Sequence, residues 1–367
     1  MKRRAVYIAA ASATCNDYSG LDMLFDALLA PPASPATCPP RARPPCYEGS
    51  LQWDSLTHCA IRQLVSAQTD LSYDCGFILG STKGDIARQL LWMRDPQPGE
   101  RPRPTLDEDA AALASHAGVC GPAYCISTAC TSGLSALIEA AELISTCATR
   151  ECLAMGADIF SDFVCDGFKA LRALSNSVCR PFDRRRDGLT LGSAAAATLL
   201  SARPSAGAVL LGGWGAAGDA AHLTAPDRAG RGLTLAIERA LAMAELKPED
   251  IDVIFAHGTG TSFNDAMEAT AFANLFTNRP CITAIKGLTG HTLGAAGVLE
   301  TAVACRILQT GIVPPVAGLE TPDFADLNFI IGQPQTLCPR RILKAGSGFG
   351  GLNTALILEL PAQEPHR

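Results

Sequence analysis

The sequence predicts an α/β fold assembled from two similar halves. Two observations carry that prediction. Strand-like and helix-like runs alternate along most of the 367 residues, the order that builds mixed sheets flanked by helices. The chain also echoes itself. "AVYIAAASATCND" at the start and "AVLLGGWGAAGDAAHL" at 208–223 both pass from a strand through small residues to an acid. The halves close alike, on "GLTLGSAAAATLLS" (188–201) and "GSGFGGLNTALILEL" (346–360), and both closings read as glycine-bearing turns within strand pairs. The join falls near Pro204, giving halves of 1–204 and 205–367.

Taken in order, "AVYIAAA" reads as a first strand. The basic start before it resembles a signal peptide, but the apolar run is short and polar "TCNDYSG" follows at once. The prolines of "APPASPATCPPRARPPCYEGS" (30–50) exclude helix and central strand and predict a surface loop. "RDPQPGERPRPTLDED" (94–109) predicts a second. "AYCISTACTSGLSALIEA" (123–140) passes from a short apolar run through Cys130 into a helix, whose buried face is marked by Leu134, Leu137, Ile138 and Ala141. "VIFA" before His257 reads as a buried strand, and "NDAMEATAFANLF" after it as a helix capped by Asn264. "CITAI" and "GAAGVLETAVACRIL" repeat the strand–loop–helix order around Lys286 and His291.

Bulk properties exclude several functions. A net charge of −6 gives no electrostatic footprint for nucleic acid. No apolar run approaches the ~20 residues of a membrane span. The fifteen cysteines are scattered and lack a CxxC pair, which predicts free thiols in a reducing cytoplasm. Cys120, Cys125 and Cys130 are evenly spaced, but no paired histidine or second cysteine cluster completes a metal site; no metal is expected.

The chemistry-bearing residues fall in three stretches. At a helix start, Cys130 would lie near unpaired N–H groups and the positive dipole end, a setting that lowers a thiol pKa. "HGTGTSFNDAME" (257–268) puts an imidazole and two hydroxyls on a glycine-bearing turn open to a ligand. "KGLTGHTLGAAG" (286–297) flanks another such turn with a lysine and a histidine, without Walker spacing. "GSGFGG" precedes a strand rather than a helix, so it is a poor dinucleotide loop.

Together "TACTSG", "RPFDRRRDG", "DAAHLTAPD", "HGTGTSFND", "KGLTGHTLGAAG" and "GSGFGGLNTA" occur in the order and near the separations of the β-ketoacyl-acyl carrier protein synthases. The chain resembles an elongating, decarboxylating ketosynthase over nearly its whole length, least over 30–110. The resemblance implies a thiolase-like fold, two pseudo-duplicated βαβ-rich halves in alternating helix and sheet layers. It assigns Cys130 as nucleophile and His257 and His291 as donors to the malonyl thioester oxygen. Lys286 and Glu268 match positions that pair and orient the histidines, with Asp265 in the same cluster. Thr259 and Thr261 match pantetheine-binding residues. Phe349 and Gly350 match the oxyanion hole and gate, and Asp219 with His222 matches a loop beside it.

The same resemblance implies no permanently bound cofactor, the phosphopantetheine arm of an acyl carrier protein arriving as substrate carrier. Arg62 and Arg184–Arg186 are candidates for docking that carrier. A thiolase would carry a second cysteine in the closing glycine loop, and a starter-type synthase an asparagine at the third position. Here "GSGFGG" has no cysteine and the third position is His291. The retained triad favours a catalytic homodimer, the alternative being a chain-length-setting subunit in a heterodimer with a sister chain. Three departures stand out. Ser193 replaces an acid after Gly192, predicting a missing charge or hydrogen bond; Gly287 replaces a serine; and the region before residue 120 is short.

Overall fold

The computed structural model describes residues 3–30, 52–66, 71–72, 74–95 and 105–361; apart from Ala30, the first proline-rich stretch lies outside them. Strands of the first half are β1 (Tyr7–Cys15), β2 (Gly76–Gly80), β3 (Ala123–Ile126), β4 (Glu151–Asp158) and β5 (Ala194–Ser201). The second half supplies β6 (Val209–Gly218), β7 (Val253–Phe255), β8 (Cys281–Thr283), β9 (Ile312–Val313), β10 (Asn328–Phe329), β11 (Gln335–Thr336), β12 (Arg341–Ser347) and β13 (Leu352–Glu359).

Among the described residues one large sheet runs β10-β8-β7-β12-β13-β6-β1-β5-β4-β2-β3. In the first half β1, β5 and β4 are successively antiparallel, and β4, β2 and β3 are parallel. In the second half β6, β13 and β12 are successively antiparallel, and β12, β7 and β8 are parallel. The halves therefore repeat one pattern of pairings. They meet where Tyr7 and Ile8 of β1 oppose Leu210 and Val209 of β6. One closing differs from expectation: β12 and β13 form a hairpin, whereas β5 is entered from a loop.

Helices α1 (Leu21–Leu29), α2 (Trp53–Ser66), α3 (Ile86–Arg94), α4 (Leu106–Ala117), α5 (Ser132–Ser145), α6 (Asp162–Ala170), α7 (Arg231–Met243), α8 (Ser262–Leu275), α9 (Lys286–Thr289) and α10 (Ala296–Thr310) cover the sheet. Strand alternation sorts them into layers. Ile78 of β2 and Ala194, Ala196 and Leu200 of β5 pack in a central core with α5 and α10. Phe77, Leu79, Ala195, Ala197 and Leu199 pack outward with α2 and α4. In the second half Leu356 and Leu358 of β13 face the central core, while Ala355 and Ile357 face α7 and α8. Strands covered on both faces need continuous apolar runs, and all eight residues of "AAAATLLS" are buried.

Two elements depart from the sequence reading. Residues 105–109 are not loop: Thr105 and Glu108 form a reciprocal capping box that starts α4. Asn264 is not the cap of α8, which begins at Ser262 after Thr261; its side chain instead reaches Glu268 at 2.8 Å.

Glycine sets the spacing that builds the site. A Cβ on Gly297 of α10 would lie 2.5 Å from the Leu134 nitrogen of α5, and one on Gly133 would lie 2.6 Å from the Gly294 carbonyl. The absent side chains let the start of α5, with Cys130, come against the loop carrying His291.

Candidate active site

Cys130 occupies a tight turn between β3 and α5. Ala129 before it is left-handed at φ 52°, a cost small residues tolerate best. The flanking hydroxyls knit the turn: Thr131 Oγ1 donates to the Thr128 carbonyl at 2.7 Å and Ser132 Oγ to the Ala129 carbonyl at 2.6 Å. The cysteine is 8% exposed. Burial pushes its thiol up to about 11, while the Lys286 ammonium and the Phe349 backbone N–H pull it down. The lowered pKa expected from a helix start is therefore not found, because desolvation outweighs the local positive field. The resting group is a thiol.

His257 follows β7, and His291 follows α9. Both are buried, with ring centroids 5.3 Å apart at 85°. The Lys286 ammonium, which can only donate, lies 3.3 Å from His257 Nδ1. The Leu293 backbone N–H donates to His291 Nδ1 at 3.3 Å. Both Nδ1 atoms thus accept, so each neutral ring carries its proton on Nε2. Burial, and then Lys286, hold both histidines well below their ordinary value. The result is two neutral imidazoles whose N–H groups belong to the Nε2 side.

The ionic support differs from the expected Lys286–Glu268 pair. Lys286 Nζ contacts Glu300 Oε1 at 2.5 Å and the His257 carbonyl at 2.5 Å. Glu300 Oε2 pairs with Lys344 Nζ at 2.8 Å. All three side chains are buried. Glu268 has other partners: its carboxylate accepts the His257 and Gly258 N–H groups, both at 2.7 Å. Those bonds and Asn264 engage both its oxygens, so it holds the His257 turn through the backbone. Sequence reasoning missed Glu300 and Lys344. Their signal was a charge set among mostly apolar residues, in "GVLETAV" of α10 and "ILKAG" of β12.

Asp265, one turn before Glu268 on α8, holds the same loop. It accepts the Thr259 and Gly260 N–H groups at 3.1 and 3.2 Å and the Phe182 N–H at 2.7 Å. Thr259 and Thr261 come together, with hydroxyls 2.9 Å apart. Phe349 is 36% exposed, and its ring lies 5.7 Å from that of Phe168. Gly350 does not match an oxyanion donor, since its N–H is spent on the Leu223 carbonyl at 2.8 Å. Asp219 ties its loop to the gate, its N–H donating to the Gly351 carbonyl at 2.9 Å. His222 Nδ1 accepts the Thr224 N–H within its own turn.

Two further expectations change. Ser193 leaves no missing hydrogen bond, because its hydroxyl accepts the Phe160 N–H at 2.9 Å. The arginine run is occupied internally. Arg185 pairs with Asp183 and Glu320, Arg186 with Asp323, and Arg184 donates to the Pro322 carbonyl. Around Cys130, Val164, Cys165, Leu189, Leu191 and Leu293 form an apolar wall. Among the described residues no group of His, Cys, Asp and Glu is placed to hold a metal ion, and no helix is long and apolar enough to cross a membrane.

A buried thiol, two neutral N–H donors and an apolar wall suit covalent capture of an acyl group and stabilisation of an enolate. The chain is similar to known proteins over most of its length. Residues 56–206 match the beta-ketoacyl synthase N-terminal domain, and residues 208–320 match the C-terminal domain. The 3-oxoacyl-(acyl-carrier-protein) synthase 2 of Coxiella burnetii is 35% identical over 255 residues, covering 65% of this chain and 62% of that protein. The tetracenomycin polyketide synthase ketoacyl synthase alpha subunit of Streptomyces glaucescens is 35% identical over 269 residues, covering 68% and 63%. The chain thus spans less than two thirds of these curated relatives. The solved ketosynthase ApeO of Xenorhabdus doucetiae, in complex with its chain length factor ApeC, superposes with a TM-score of 0.79 at 26% identity over 98% of both chains. With both domains matched in order and one fold throughout, this chain belongs to the beta-ketoacyl synthase family.

Proposed function

We propose that the chain condenses an acyl group, held on Cys130, with a malonyl unit carried by an acyl carrier protein. The carrying observation is the pair of buried imidazoles whose Nδ1 atoms are both occupied as acceptors. In the first half-reaction the Cys130 sulfur attacks the thioester of the incoming acyl group. The S–C bond forms, the carrier thiol leaves, and the Cys130 proton passes to it. In the second, His257 and His291 donate from Nε2 to the malonyl thioester oxygen. Carbon dioxide departs, and its bonding electrons become the enolate these donors stabilise. The enolate carbon attacks the acyl-cysteine carbonyl, the acyl C–S bond breaks, the 3-ketoacyl product leaves on the carrier, and the released Cys130 thiolate regains a proton from water. The Phe349 N–H, which favours the Cys130 thiolate, stabilises the oxyanion of that attack.

On this reading Thr259 and Thr261 bind the pantetheine arm, Lys286 with Glu300 fixes the His257 tautomer, and the halves divide near Pro204. The retained Cys130 and both histidines favour this activity over a silent chain-length-setting role. A second copy would complete the molecule, since β3 ends the sheet among the described residues and edge strands invite pairing. Incubation with an acyl-thioester series tests the proposal by intact mass. One acyl adduct on Cys130 is expected, and a chain that no thioester labels would contradict it.

A further inference from the structure

We propose that Lys83 is a specificity-determining residue beside Cys130, selecting acyl groups with an acceptor oxygen near the thioester over all-hydrocarbon chains. The inference rests on Cys130 as the acyl acceptor.

Asp158, at the end of β4, is fully buried. It accepts the backbone N–H groups of Thr82 at 3.0 Å and Gly294 at 2.7 Å, and the hydroxyls of Ser81 at 3.1 Å and Thr82 at 2.8 Å. A carboxylate offers about four acceptor sites, two on each oxygen; three neutral donors converge on Oδ2, and Ser81 alone among them reaches Oδ1. The Lys83 ammonium adds a fifth contact at 3.0 Å. Lys83 thus completes Oδ1 and pairs the buried charge.

Its placement gives it a use. Ser127 Oγ, three residues before Cys130, donates to the Thr82 carbonyl at 3.2 Å. The Gly294 N–H on Asp158 lies three residues after His291. The Lys83 loop thus bridges the nucleophile turn and the histidine turn, and its charge acts on both Cys130 and His291. Unlike the fully buried Lys286 and Lys344, its side chain keeps 13% exposure. Two of its three N–H groups go to Thr82 Oγ1 and Asp158 Oδ1, both at 3.0 Å, which leaves one for a ligand.

On this proposal an acyl group on Cys130 lies between the apolar wall and the Lys83 ammonium. A hydrocarbon pressed against that ammonium strips its water without return. A keto or carboxylate oxygen replaces the water with a charge-assisted hydrogen bond.

The test offers the whole chain an equimolar mixture of the hexanoyl and 3-oxohexanoyl thioesters of N-acetylcysteamine and counts Cys130 adducts by intact mass. Both compete for the same folded molecules, so the ratio is independent of the folded fraction. The unsubstituted chain should favour 3-oxohexanoyl by about tenfold or more, the range of a hydrogen bond to a charged group. Lys83→Met should bring the ratio toward one, and Lys83→Arg should keep part of the preference. A ratio unchanged in Lys83→Met, or a preference of the unsubstituted chain for hexanoyl, overturns the proposal. Labelling by neither thioester overturns the assignment of Cys130 itself, and the proposal with it.

Discussion

Cys130 sits between opposing influences: burial raises its thiol to about 11, while Lys286 and the Phe349 N–H favour the thiolate. A thiol that rests protonated must lose its proton as the acyl group arrives. Cys130→Ala should therefore abolish adduct formation entirely, measured by intact mass; the neighbouring buried Cys165 and Cys179 should not take over. The histidines make a pH prediction. An unfolded histidine titrates near 6.5, and both folded values lie well below it. Between those values the unfolded chain binds protons the folded chain does not. The stability these groups contribute is present above pH 6.5 and lost as pH falls through the folded values. Denaturant midpoints measured from pH 7.5 to 5 should decline, and less steeply in His257→Gln.

At the scale of elements, α10 carries the site's ionic centre to β12 and α9. Glu300 faces two buried ammonium groups, and burial lowers the Lys344 pKa despite the pairing. Glu300→Ala would strand both charges, and breaking a buried pair typically costs about 3–5 kcal/mol. Adding Lys344→Met should recover part of that loss, as urea midpoints of the single and double variants will show. The α5–α10 crossing makes a steric prediction. Gly297→Ala places a methyl 2.5 Å from the Leu134 nitrogen. It should destabilise by about 1–3 kcal/mol and slow acylation by moving Cys130 away from His291.

Elements also show what the sequence revealed. The nucleophile turn, both histidines and the threonine loop were legible because each carries an unusual residue among glycines and small side chains. Glu300 and Lys344 were not, because their meaning is pairwise and the partners lie 44 positions apart. The Lys286–Glu268 pairing failed for the same reason: only the folded chain shows that backbone N–H groups have claimed Glu268. The capping box at Thr105 and Glu108 was readable from its spacing, but the prolines before it concealed it.

For the whole molecule, the two halves of repeated strand order divide the proposed catalytic residues, the cysteine in one half and both histidines in the other. Carrier docking through local basic residues should weaken with salt despite the net charge of −6, since acyl carrier proteins are acidic. With Arg184–Arg186 engaged internally, Arg62 on α2 remains the candidate contact. Arg62→Glu should weaken binding and flatten its salt dependence, measured by titration calorimetry at two ionic strengths. If a second copy completes the molecule as proposed, native mass of the chain expressed alone should give an active homodimer.

The central claim is that Cys130 captures the acyl group while His257 and His291 serve the malonyl unit. Assaying the two half-reactions separately in His257→Ala and His291→Ala tests it most directly. The account predicts that both variants still acylate Cys130 and that both lose malonyl decarboxylation, by about 10²–10³-fold for each donor removed. Decarboxylation at the unsubstituted rate in either variant would contradict it.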